Sequence, residues 1–224
     1  MLFDPIYFVF LAPAFLLSLF ASFRTKSAFK KYSKVRASSG MTGAQAAARM
    51  LANAGIDDVK IVRTAGRLSD HYNPLTKTLA LSEAVYDQPS IAAIGVACHE
   101  AGHAIQHATK YAPLWLRTAL VPTAGIGSKV GYFMMLFGLI LGMNGMLLLG
   151  ALLFSAVLLF QIVTLPVEFD ASARAKRLAF EHGMVLDSER VGISRVLNAA
   201  AMTYVAAAFS TLMTLAYFLL RGRN

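Results

Sequence analysis

From Thr118 to Leu165 the chain runs for 48 residues with Lys129 as its one charged side chain. A helix needs about 20 apolar residues to cross the hydrocarbon core of a bilayer, so this run is too long for one crossing and long enough for two. Met143-Asn144-Gly145 is the turn signal nearest its middle, which predicts an antiparallel pair of spans over 118–165. Lys129 then falls inside the first span, where it snorkels, precedes a span that begins near Val130, or serves as a buried functional charge. Two more stretches have the right length, 2–23, apolar after Asp4, and 199–220. The expected fold is therefore mainly α and integral to a membrane, with about four transmembrane helices. A charged fraction of 15% agrees, since soluble domains carry about 25%.

The first stretch lacks the basic leader and small-residue cleavage site of a signal peptide, and Arg24, Lys26, Lys30, Lys31, Lys34 and Arg36 follow it at once. It reads as a retained anchor. Placing 24–117 and 166–198 on the cytosolic side gathers 18 of the 21 Lys and Arg residues there, with Arg221 and Arg223 opposite and Lys129 in a span. That bias predicts both termini outside and both polar segments inside, in a bacterial-type plasma membrane. It also accounts for the net charge of +9 better than a nucleic-acid face does, because the aromatic residues lie mostly within the apolar segments. Cys98 is the only cysteine, which excludes an intrachain disulfide and suits a reducing compartment. No internal repeat or low-complexity linker divides the chain, so 1–224 reads as a single membrane-embedded unit.

Between the anchor and the paired spans, Thr42-Gly43-Ala44-Gln45 has capping-box spacing and opens a helix that Gly55 can close. Val59 to Thr64 and Lys77 to Leu81 are strand-like, and the Asn73-Pro74 step between them favours a turn, so a small hairpin or sheet is expected. Ser90 is placed to cap a helix over 91–108. Beyond the paired spans, 167–182 reads as a separate polar helix closed by Gly183, and Asp187-Ser188 opens a helix running into the last span.

The helix over 91–108 contains His99-Glu100-Ala101-Gly102-His103, an H-E-x-x-H motif. Histidines four apart lie about 40° apart around a helix, so both imidazoles reach one ion, and Glu100 projects beside it as a proton acceptor for water. A catalytic zinc site takes a third protein ligand and keeps one position open. Glu168, 65 residues after His103 and returned to the same side by the paired spans, is the best candidate, with Asp170 the runner-up or else an acceptor for a histidine N–H. His107, His71 and His182 read as structural histidines, Cys98 as a small buried hydrophobe, and the methionines of the spans as packing or lipid contacts.

The segments DHYNPLTKTLALSE, HEAGHAIQHA and LPVEFDASARAKRLAF, with the order of the spans, resemble the YugP-like membrane zinc metallopeptidases over nearly the whole chain. That family is similar in motif to the HtpX-type proteases and the prenyl-protein CAAX proteases. The resemblance implies a cytosolic gluzincin-like core with one catalytic Zn2+, His99, His103 and Glu168 as ligands and Glu100 as general base. It departs at Ser172, where gluzincins often carry an acid, leaving the histidine-orienting role to Asp170 at best. Thr78, Leu79, Ala80 and Leu81 are the expected edge strand for an extended substrate, with a fully paired interior strand the alternative, and His71, Tyr72, Arg174 or His182 the expected oxyanion donor. A peptide or membrane-protein substrate and the lipid bilayer are the expected partners, with no nucleic acid. A site-2-type intramembrane protease, whose second motif Leu165-Pro166 and Asp170 match weakly, and a non-enzymatic scaffold with a structural metal are the competing readings.

Overall fold

The computed structural model describes residues 5–66 and 68–222. The helices are α1 (Pro5–Tyr32), α2 (Gly43–Asn53), α3 (Glu83–Tyr86), α4 (Ile91–Ala108), α5 (Ala112–Ile126), α6 (Tyr132–Ile140), α7 (Asn144–Glu181) and α8 (Arg190–Arg221). A π-helical stretch, Gly127–Gly131, joins α5 to α6, and a 3-10 turn, Asp187–Glu189, precedes α8. The strands are β1 (Lys60–Thr64), β2 (His71–Asn73) and β3 (Thr78–Ser82). The mainly helical fold with one small sheet is the expected one.

Four helical stretches are long and apolar enough to cross a membrane: Pro5–Tyr32, Ala112–Ile140, Asn144–Glu181 and Asp187–Arg221. They match the four expected spans, with corrected limits. The helix of the anchor continues beyond Phe23 through its basic residues, while positions 2–4 lie outside the described residues, as does Arg223. The first of the paired helices begins at Ala112, six residues earlier than expected, and Lys129 lies exposed in the π-helical stretch and not in a packed interior. The turn also sits earlier, at 141–143, because Gly142 supplies a backbone with φ +65°, leaving Asn144 as the first residue of α7.

The expected break between the second of these spans and the polar helix is absent. α7 runs unbroken from Asn144 to Glu181 through Pro166. Proline lacks an N–H and crowds the carbonyl one turn back, at a cost of about 3 kcal/mol. Ending the helix in an apolar setting would leave several backbone groups unpaired, where proline removes one bond.

The chain forms two compact units. One comprises residues within 1–22, 115–166 and 202–224. Its core is Met135, Ala151, Phe154, Tyr217 and Phe218. Backbones approach closely where a Cβ on Gly131 would stand 2.7 Å from the Phe154 nitrogen and one on Gly150 2.6 Å from the Met135 nitrogen. Ser18 and Ser210 hydroxyls meet at 3.1 Å, a polar link between α1 and α8.

The second unit, Phe23–Leu114 with Val167–Ala201, is built around α4. This helix is apolar on nearly every face and buried on nearly every face, the condition under which a helix carries no single apolar stripe. Ala46, Ala47, Met50 and Leu51 of α2, Leu79 and Leu81 of β3, Ala175 and Ala179 of α7, and Ile193, Val196 and Leu197 of α8 share its core. Local signals behave as expected. Thr42 and Gln45 form the capping box, Gly55 follows α2 with φ +68°, and the Ser90 side chain accepts from Ala93 N–H at 3.2 Å. Glu189 takes the Ser38 N–H at 2.7 Å, the Ser38 hydroxyl at 2.9 Å and the Leu186 N–H at 2.8 Å, fastening the segment after α1 to the start of α8.

The sheet has the order β1-β3-β2, with β1 parallel and β2 antiparallel to β3. Asn73 Oδ1 accepts from Leu75 N–H at 2.9 Å, which makes the expected turn of the β2–β3 hairpin. Thr78, Leu79, Ala80 and Leu81 are therefore not an edge. They form the central strand, paired on both sides, because β1 returns to lie beside β3 and buries Leu79 and Leu81 against α4.

Candidate metal centre

The helical period of α4 puts His99 and His103 on one side, with ring centroids 4.8 Å apart and planes at 82°. Glu168, on the first turn of α7 after Pro166, points between them. Its Oε2 lies 3.2 Å from His99 Nε2 and 3.6 Å from His103 Nε2. One donor atom from each of the three residues lies within 4.8 Å of the others. A tetrahedron with metal-ligand bonds of about 2.0–2.1 Å has edges of about 3.3–3.4 Å, so two of the three separations already bracket that value. Two imidazole nitrogens and one carboxylate oxygen are also the donor chemistry that zinc takes.

The surroundings favour positive charge there. Burial alone would depress the His103 imidazolium, but the Glu168 hydrogen bond and the charges of Glu100 and Glu168 outweigh it and raise the group above the ordinary histidine value. Glu168 is 1% exposed and Glu100 8%, so neither carboxylate is dispersed by water. His99 is slightly less enclosed than His103.

The outward nitrogens of both histidines are engaged. Ser172 Oγ lies 3.1 Å from His99 Nδ1, so the serine in the place of an expected acid is itself a histidine partner. His103 Nδ1 meets Gln106 Oε1 at 2.9 Å, and Gln106 Nε2 donates to the Val167 carbonyl and to Asp170 Oδ2, both at 2.8 Å. Asp170 Oδ2 also takes the Arg174 Nε–H at 2.6 Å. Asp170 thus stands behind Gln106 and does not join His99, His103 and Glu168. Sequence reasoning missed Gln106. The available signal was an amide three residues after the second histidine on a largely buried helix, where a buried amide has to be hydrogen-bonded.

The four expected oxyanion donors are dispersed. His182 ends α7, about 21 Å along the helix from Glu168 at 1.5 Å per residue, too far to serve the cluster. Arg174 is committed to Asp170 and lies over the Tyr111 ring at 5.8 Å. His71 Nδ1 meets the Ser69 carbonyl oxygen at 2.8 Å. Tyr72 remains beside α4, its hydroxyl 2.9 Å from Nδ1 of His107, one turn beyond His103. Cys98 is fully buried, and burial pushes its thiol up to about 12, which removes it as a thiolate ligand.

Two histidines on one helix, closed by a glutamate from a helix distant in sequence, are a group of side chains that could hold a metal ion. Comparison with known proteins narrows the class. A family described as "Putative neutral zinc metallopeptidase" matches residues 7–223, so the chain belongs to that zinc metallopeptidase family. "Putative membrane protease YugP" of Bacillus subtilis (strain 168) is 47% identical over 221 residues, covering 97% of this chain and 98% of that protein. No solved structure matches the chain.

Proposed function

We propose that the protein is a multi-pass membrane endopeptidase of gluzincin type, in which His99, His103 and Glu168 hold one zinc ion and Glu100 is the general base. The observation that carries this reading is the convergence of the three donor atoms within 4.8 Å, with Glu100 buried one residue along from a ligand. Bound there, zinc supplies a Lewis acid that polarises a peptide carbonyl and acidifies water. The chain supplies the proton traffic. Glu100 accepts a proton from the attacking water and returns it to the departing amine nitrogen, which gives amide hydrolysis without an acyl-enzyme.

Substrate alignment falls to β2. With β3 paired on both sides, the open edge next to α4 is that of His71–Asn73, and backbone pairing there extends a peptide past the motif. Tyr72, whose hydroxyl meets His107 one helical turn beyond His103, is the group we assign to stabilise the oxyanion. The Lys and Arg distribution supports 24–117 and 166–198, and hence the site, on the cytosolic face of a bacterial-type plasma membrane.

Glu100→Gln is the decisive variant, because the amide keeps the volume and leaves all three ligands but cannot take a proton. Zinc content should stay at the wild-type level while cleavage of a membrane-protein or unfolded-protein substrate falls about 10²- to 10⁴-fold. Wild-type turnover in a zinc-loaded Glu100→Gln protein would refute Glu100 as the general base.

A further inference from the structure

We infer that Gln106 is a positioning residue that dictates which nitrogen of His103 faces the metal centre, and that it does so because Asp170 and the Val167 carbonyl leave its amide one orientation. The inference rests on the metal-site reading above.

The logic runs inward from Arg174. Arg174 donates through Nε to Asp170 Oδ2 at 2.6 Å, so the oxygen that Asp170 turns to Gln106 is an acceptor. The Val167 carbonyl is a second acceptor at the same end of the amide. Two acceptors at 2.8 Å require the NH2 group there, since a flipped amide would set its oxygen against a carbonyl oxygen and a carboxylate oxygen in a fully buried place. Gln106 Oε1 is thereby turned to His103 Nδ1, 2.9 Å away, and that nitrogen must carry a hydrogen. A neutral His103 then has its lone pair on Nε2, the atom that looks at Glu168 Oε2. The proton-bearing pattern of a metal ligand is thus set by an amide whose own orientation is set by an ion pair.

The arrangement differs in kind from a carboxylate directly behind a histidine. A carboxylate draws the Nδ1 proton toward itself and strengthens the imidazole as a donor. Gln106 is neutral and makes His103 directional while leaving the negative charge of Asp170 one side chain further out. Its hydrogen bonds also tie α4 to the turn of α7 that carries Glu168, so one side chain sets both the orientation of a histidine and the place of the glutamate.

The test uses full-length, metal-free protein in detergent with 15N-histidine, at a pH where the imidazoles are neutral. The His103 resonances are assigned by their loss in His103→Ala. The expected result is the Nδ1–H form of His103 in the wild type and a mixture of both forms in Gln106→Met, which has similar volume and no hydrogen-bonding amide. Zinc affinity of folded Gln106→Met, read by chelator competition, should fall ten- to hundredfold, as for other partners of ligating histidines. A wild-type His103 in the Nε2–H form overturns the proposal without needing a variant. So does a Gln106→Met protein that binds zinc as tightly as the wild type, since a purely packing role leaves affinity untouched. Failure of the wild type to bind zinc would instead defeat the metallopeptidase reading and leave the histidine measurement standing.

Discussion

Gly102 lies directly against Ala171: a Cβ at position 102 would stand 2.9 Å from the Ala171 carbonyl oxygen and 3.3 Å from its Cα. Position 102 falls between Glu100 and His103, and Ala171 lies between Glu168 and Ser172. The absence of a side chain here lets the two backbones approach closely enough for the glutamate to reach both imidazoles.

Gly102→Ala sets two effects against each other. Alanine in a helix gains about 1 kcal/mol over glycine. Pushing against a backbone carbonyl, which cannot swing aside as a side chain does, costs about 1–3 kcal/mol. The clash should win. The variant should melt below the wild type and hold zinc less tightly, and a variant of raised thermal stability with full zinc affinity would show that the two helices are not held at this distance.

Glu168→Ala and Asp170→Ala should separate sharply. The first removes a proposed ligand and should abolish stoichiometric zinc, measured on purified protein. The second leaves all three donors and removes only the acceptor behind Gln106, so affinity should fall within the 10- to 100-fold range typical of an outer partner. Zinc retained in Glu168→Ala and lost in Asp170→Ala would reverse the assignment.

Acidity should act oppositely on the metal-free and zinc-loaded forms. His103 is raised above its ordinary value, so the stability it gives the metal-free fold is fully present below its unfolded value of about 6.5 and is lost as pH rises through the higher folded value. Zinc demands the unprotonated ligand and binds better as pH rises through that same window. The melting-temperature gain on adding zinc should therefore grow from pH 6 to pH 8. A gain that is constant or shrinks over this interval would count against His103 as a ligand.

The buried Cys98 thiol, pushed up to about 12, should stay unlabelled by maleimide in native protein at pH 7.5 and react once the chain is unfolded. It therefore leaves a silent background for mapping. A cysteine at exposed Asn144 should be labelled by an impermeant reagent in intact cells, and one at exposed Ser188 should be protected. The reverse pattern would put the metal centre outside the cell.

Much of the helical framework and the grouping of the candidate site residues were legible because they depend on local chemistry. Thr42 with Gln45, Ser90, Gly55 and Gly183 mark helix ends through bonds within a few residues, and His99 and His103 share a side by the helical period alone. Glu168 followed from the order of the apolar runs. What escaped depends on distant partners. The central place of β3 is decided by where β1 returns, and the continuity of α7 through Pro166 by a setting that makes a break costlier than a missing hydrogen bond. Gln106 escaped because an amide is silent until its neighbours are known. Its importance comes from Val167 and Asp170, more than 60 positions away in sequence.

The separation of 69 positions from His99 to Glu168 has a consequence for the life of the chain during its synthesis. During synthesis the histidine pair leaves the ribosome well ahead of the glutamate, with the whole length from α5 to the middle of α7 still to follow. The nascent polypeptide therefore carries the two histidines without the glutamate while α5, α6 and the first half of α7 are being made. The proposed donor set is completed only with the second half of α7, while α8 has still to be made.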